Sequence, residues 1–115
     1  MAMFECNLNS NLGIVRGKVN VSTTNSTVIS LGFKPSLLVV TQVEPDGYSL
    51  INTYSDKDSN SVSRYVPGYT AQERYNLPTS NLNRINSINN DGFIFGAVNE
   101  PGTVIEYIAV KKQLV

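Results

Sequence analysis

The chain has 115 residues, of which 41% are apolar and only 16% charged, and nine basic side chains balance nine acidic ones. That is one domain with room for a single core, and a net charge of zero excludes a field-driven partnership with nucleic acid or an anionic membrane. There is no histidine, which removes the commonest general base and the commonest transition-metal ligand.

In chain order the dominant hydrophobic period is two, the period of strands. Residues 13–21 place Val15, Gly17, Val19 and Val21 on one face and Ile14, Arg16, Lys18 and Asn20 on the other, which predicts a half-buried strand. Residues 1–11 before it read as an irregular lead. Residues 22–26 form a polar turn. Ile29, Leu31 and Phe33 then alternate through a second strand over 27–33. Pro35 turns the chain, because proline lacks an amide donor and biases Lys34 to extended backbone. The uninterrupted run Leu37-Leu38-Val39-Val40 predicts a central strand, over 36–43, buried on both faces. Pro45-Asp46-Gly47 is a tight turn, with proline presetting one dihedral and glycine accepting a positive φ. Residues 48–54 pair back from it.

The middle of the chain is polar. Residues 55–63 (SDKDSNSVS) read as a loop, and 70–76 as the one stretch able to make a short helix, ended by Leu77-Pro78. Leu82, Ile85 and Ile88, spaced by three, fit a helical turn or an irregular strand, of which the strand is favoured. Asn89-Asn90-Asp91-Gly92 is the strongest turn signal, with Gly92 suited to the left-handed position of a hairpin loop. Phe93 and Phe95 alternate with Ile94, Glu100-Pro101-Gly102 turns, and 103–111 (TVIEYIAVK) form the last long strand. The sum is about seven short strands at turn spacings of roughly 8–12 residues, the pattern of a single antiparallel β-sandwich with little helix.

Chemistry-bearing patterns are few. Asp56, Asp58 and Asn60 imitate the start of a calcium loop, but Ser61 stands where that loop needs glycine and Pro67 where it needs a bidentate Glu, so no metal is expected. Glu73 and Glu100 are carboxylates that a small carbohydrate-active enzyme could use, yet each sits beside a turn or on an alternating position, and surface carboxylates without function are the usual case. No serine has a histidine to activate it. Cys6 has no local basic residue and reads as an inert thiol, unable to pair internally because it is the one cysteine. No Gly-rich phosphate loop occurs, so neither a cofactor nor a catalytic residue is predicted. No apolar run approaches a membrane span, and no signal peptide is read at the N-terminus. The most suggestive residues are Tyr65, Tyr69 and Tyr75 with Arg64 and Arg74 among them. Tyr and Arg carry most interface energy, through buried area and forked hydrogen bonding. These five are the predicted partner-contact patch, on the longest irregular stretch, 55–76; rings that merely cap the core are the alternative.

Three segments resemble a known family. LGFKPSLLVV (31–40) resembles a "GF-K/R-P then apolar strand" signature in small β-sandwich modules of tailed bacteriophages. INSINNDGFIF (85–95) resembles their "I-x-x-I-x-x-x-GF" hairpin, and TVIEYIAVK (103–111) their closing strand. The order and spacing agree across residues 31–111. The resemblance implies a non-enzymatic virion protein of the tail or baseplate, made in the bacterial host cytoplasm and similar to the shoulder-type domain of receptor-binding proteins in phages of Gram-positive bacteria. It would bind a tail protein or a host-surface glycan in host adsorption or tail-tip assembly, and homo-oligomerisation stays open. A phage-encoded intracellular protein that binds a host factor is the reading the sequence does not separate from this one.

Overall fold

The computed structural model describes residues 13–68 and 72–112. Among the described residues the protein is all-β, with a single turn of 3-10 helix at Asp56–Asp58 and no helix long and apolar enough to cross a membrane. The described residues form nine strands in two antiparallel sheets. They are β1 (Ile14–Asn20), β2 (Thr27–Ser30), β3 (Pro35–Val43), β4 (Ser49–Ser55), β5 (Ser61–Tyr65), β6 (Gln72–Asn76), β7 (Ile85–Ile88), β8 (Gly92–Phe95) and β9 (Val104–Lys111). The larger sheet runs β1-β9-β3-β4-β5-β6 and the smaller β2-β8-β7. The last strand in sequence therefore lies between the first and the third.

One core joins the sheets. Leu38, Val40, Tyr54, Val62, Ile105 and Ala109 face inward from the larger sheet, and Ile29, Ile85, Phe93 and Phe95 meet them from the smaller. Each buried Phe contributes about 1.5–3 kcal/mol through the apolar area it removes from water. The Phe93 ring also meets Tyr107 edge-on, with centroids 5.5 Å apart. Gly17 stands opposite Tyr107, and a Cβ there would overlap the tyrosine ring, so the glycine makes room for it.

The Pro45-Asp46-Gly47 turn forms as the sequence predicts. Gly47 N–H donates to the Glu44 carbonyl at 2.9 Å and its φ is +92°. The irregular strand expected from Leu82, Ile85 and Ile88 forms in part, as β7 over Ile85–Ile88 with a register shift between Ile85 and Ser87, while Leu82 lies in an exposed turn before it.

Five expectations are corrected. The second strand stops at Ser30, where Gly32 turns the chain at φ +83°. β3 is central but buried on one face only: Leu38 and Val40 are fully enclosed while Leu37 and Val39 stand in solvent. The polar loop predicted over 55–63 is shorter, because Val62 is buried completely and pulls Ser61–Tyr65 into the sheet. Of the stretch 70–76 able to make a short helix, the described part, Gln72–Asn76, is instead the edge strand β6, where Tyr75 pairs with Val62 and packs against the core. Gly92 does not have a positive φ; a Cβ there would overlap the Ile29 carbonyl oxygen on the neighbouring β2.

Candidate functional site

Four of the five predicted contact residues, Arg64, Tyr65, Arg74 and Tyr75, lie on the β5–β6 hairpin, and strand alternation divides them. The register Val62↔Tyr75, Ser63↔Arg74, Arg64↔Glu73, Tyr65↔Gln72 puts Arg64 and Tyr75 on the core side and Tyr65 and Arg74 on the outer side. Tyr69 and Cys6 lie outside the described residues.

The inward pair is committed to internal contacts. Arg64 Nε donates to the Asn83 carbonyl at 3.2 Å, and its Nη1 donates to Glu73 Oε2 at 3.0 Å. Arg84 grips the other oxygen, with Nη2 2.6 Å from Glu73 Oε1. Hydrogen bonding from Arg84, helped by the charges of both arginines, holds the Glu73 carboxyl below the usual carboxylate range. A glycosidase acid needs the opposite shift, so this carboxylate suits a brace better than proton donation. Arg84 also sits 5.6 Å from the centroid of the Tyr75 ring. The Tyr75 hydroxyl donates to Asn52 Oδ1 at 2.9 Å, and burial pushes the phenol well above its ordinary range. Beside it Gln42 Nε2 donates to Asn83 Oδ1 at 3.0 Å. These bonds tie the 81–84 loop to β3, β5 and β6. Gln42 Oε1 and Asn52 Nδ2 are enclosed without a partner among the described residues.

The outer face of the larger sheet has a different character. Cross-strand partners run Arg16, Ile108, Val39, Thr53, Ser63, Arg74 in one row and Ile14, Val110, Leu37, Ser55 in the next. In these rows Ile14, Leu37, Val39 and Ile108 are 38–47% exposed. They sit on three adjacent strands and so form one apolar area rather than scattered singles. A shallow depression of about 440 Å³ opens beside them, lined in part by Arg16, Val39, Thr41 and Ile108, with the exposed Lys18–Glu106 pair at 3.8 Å on its border. Tyr65 and Arg74 continue the same face toward the β6 edge. Sequence reasoning missed Leu37, Val39 and Ile108 as surface residues. The signal available was the polar alternation of β1 (Arg16, Lys18) and of the β5–β6 hairpin (Ser63, Arg74), which share that face.

Among the described residues no three His, Cys, Asp or Glu side chains gather as a metal set, and Asp56 accepts a hydrogen bond from the Ser36 hydroxyl at 3.0 Å. Comparison with protein-family models, with curated proteins and with solved structures finds no match to the chain.

Proposed function

We propose that the protein is a non-enzymatic attachment or assembly component of a tailed-phage virion, and that it holds a partner protein on the open face of its larger sheet. The observation that carries this reading is the apolar area of Ile14, Leu37, Val39 and Ile108, bordered by Arg16, Lys18 and Glu106. Exposed apolar residues grouped within a polar rim are what protein contact sites present. The phage assignment rests on the resemblance of residues 31–40, 85–95 and 103–111, which fall on the β2–β3 corner, the β7–β8 hairpin and β9.

The test is detection of the chain by mass spectrometry in purified particles, with the double variant Val39→Asp, Ile108→Asp beside it. The expected result is the wild-type chain in particles and a folded variant left behind in the lysate. A wild-type chain found only in the lysate would favour the intracellular host-factor reading. Equal incorporation of both chains would move the contact away from this face.

A further inference from the structure

A second feature lies away from the sheet face, where the two sheets part at one end of the sandwich. A cleft of about 220 Å³ opens there, lined by Lys34, Tyr54, Asn60, Leu77, Pro78, Ser87 and Ile88. The backbone fixes its sides: Leu77 N–H donates to the Asn60 carbonyl at 2.8 Å, so the segment after β6 is fastened to the turn before β5. Ser87 and Ile88 belong to β7 of the smaller sheet, and Tyr54 to β4 of the larger.

Four polar side chains therefore line one small space, those of Tyr54, Lys34, Asn60 and Ser87. None has an intramolecular hydrogen bond or ion pair among the described residues. Polar side chains around the neighbouring turns behave differently, since Ser30, Ser36, Ser55 and Asn89 are all bonded. Tyr54 is the decisive one. The residue is 6% exposed and its ring belongs to the core. Yet its hydroxyl is not among the fully enclosed, unpartnered atoms, which are Gln42 Oε1 and Asn52 Nδ2. A buried tyrosine ordinarily finds its hydroxyl a partner; this one opens on the cleft instead. Burial, with Asp56 nearby, raises its pKa, so the phenol stays a neutral donor and acceptor.

The inventory selects a ligand. Leu77, Pro78 and Ile88 supply apolar surface, while the hydroxyls and the amide both donate and accept. One cation and no carboxylate face this space. The volume is below the ~300–1,000 Å³ of pockets for drug-sized ligands, so it suits a single ring. A ring with apolar C–H faces and hydroxyls around its edge satisfies all of these conditions. A second cleft of about 280 Å³, lined by Lys34, Pro35, Ser36, Asp56 and Lys112, shares Lys34 with the first. We propose that the paired clefts are an oligosaccharide subsite, with one pyranose ring against Leu77 and Ile88 and within reach of the Tyr54 hydroxyl, and the next unit across Lys34. This goes beyond the attachment reading and does not depend on it.

The test is an amide-resolved NMR titration of the full chain with cellobiose, lactose and N,N′-diacetylchitobiose. The expected result is saturable millimolar shifts of Lys34, Asn60, Ser87 and Ile88 with at least one of them. Tyr54→Phe and, separately, Ser87→Ala should each weaken that binding about 5-fold, the worth of one hydrogen bond. Tyr54→Phe should also leave the melting temperature unchanged, because the lost hydroxyl has no partner in the fold. No saturable shift with any of the three sugars overturns the proposal. So do equal affinities in both variants and wild type, shifts confined to Val39 and Ile108, or a Tyr54→Phe melting temperature lower by several degrees. The particle assay does not read any of these outcomes, so either proposal can fail alone.

Discussion

Gly47 and Gly92 are glycine for different physical reasons. Gly47 holds φ +92° with open space around its α-carbon, so only backbone conformation excludes a side chain there. Asparagine tolerates that region, so Gly47→Asn should cost less than Gly47→Val. At Gly92 the obstacle is the Ile29 carbonyl oxygen, backbone that cannot swing aside. Gly92→Asn should cost as much as Gly92→Ala, about 1–3 kcal/mol by urea denaturation, the range of overpacking penalties. An Asn variant at position 92 more stable than the Ala variant would return Gly92 to the left-handed turn that its sequence context predicts. The turn itself was legible from Asn89-Asn90-Asp91-Gly92, but the strand crossing behind it was not, because β2 is some 60 residues away in sequence. Glu73 supplies the pH dependence at this scale. Its pKa is lowered in the folded state, so its contribution is present above the unfolded value near 4.5 and is lost as pH falls through the folded value. The carboxylate is 44% exposed, so screening holds the effect below about 1 kcal/mol. Urea midpoints from pH 7 to 3 should fall less steeply in Glu73→Gln than in wild type; parallel curves would mean the arginine clamp contributes nothing.

Elements show why the exposed apolar face was only partly readable. An apolar run such as Leu37-Leu38-Val39-Val40 carries no record of whether its second face meets a sheet or water, and the two arrangements give the same sequence. The consequence is measurable: Val39→Thr should stay within about 0.5 kcal/mol of wild type, whereas Val40→Ala should cost about 2 kcal/mol through lost burial. Equal costs would mean that the outer face is covered. In the β5–β6 hairpin, Ser, Arg and Gln at outward positions hid the period, and the single apolar anchor Val62 was too little to reveal a strand. Tyr75 is half of a polar pair there. Tyr75→Phe would leave Asn52 Oδ1, like Nδ2, without a partner in a fully enclosed residue. The expected cost is about 1–3 kcal/mol, and adding Asn52→Leu should recover much of it, since replacing both partners by apolar groups is close to neutral. A neutral Tyr75→Phe would show that the hydroxyl is solvated instead.

For the molecule as a whole, the period-two pattern made the all-β sandwich legible, whereas the partition into six strands and three comes from pairings between distant segments. Neither sheet has an apolar layer of its own to bury against. The inward side chains of β3, β4, β5 and β9 meet those of β2, β7 and β8, and Phe93 and Phe95 fill the space between with no exposure. The smaller sheet has three strands of four residues each, the lower limit of what stands alone in water, and its apolar face is covered by the larger sheet. The two sheets should therefore unfold together. Far-UV circular dichroism, which reads the strands, and the near-UV signal of the buried Tyr54 and the half-buried Tyr75 should give coincident urea transitions. Phe95→Ala should move both midpoints down by the same amount, corresponding to about 3–5 kcal/mol, because it opens a cavity at the common boundary. If Phe95→Ala separates the two curves, with the near-UV signal surviving after part of the far-UV signal is lost, the smaller sheet is an appendage, and the larger sheet must be held by contacts other than this core.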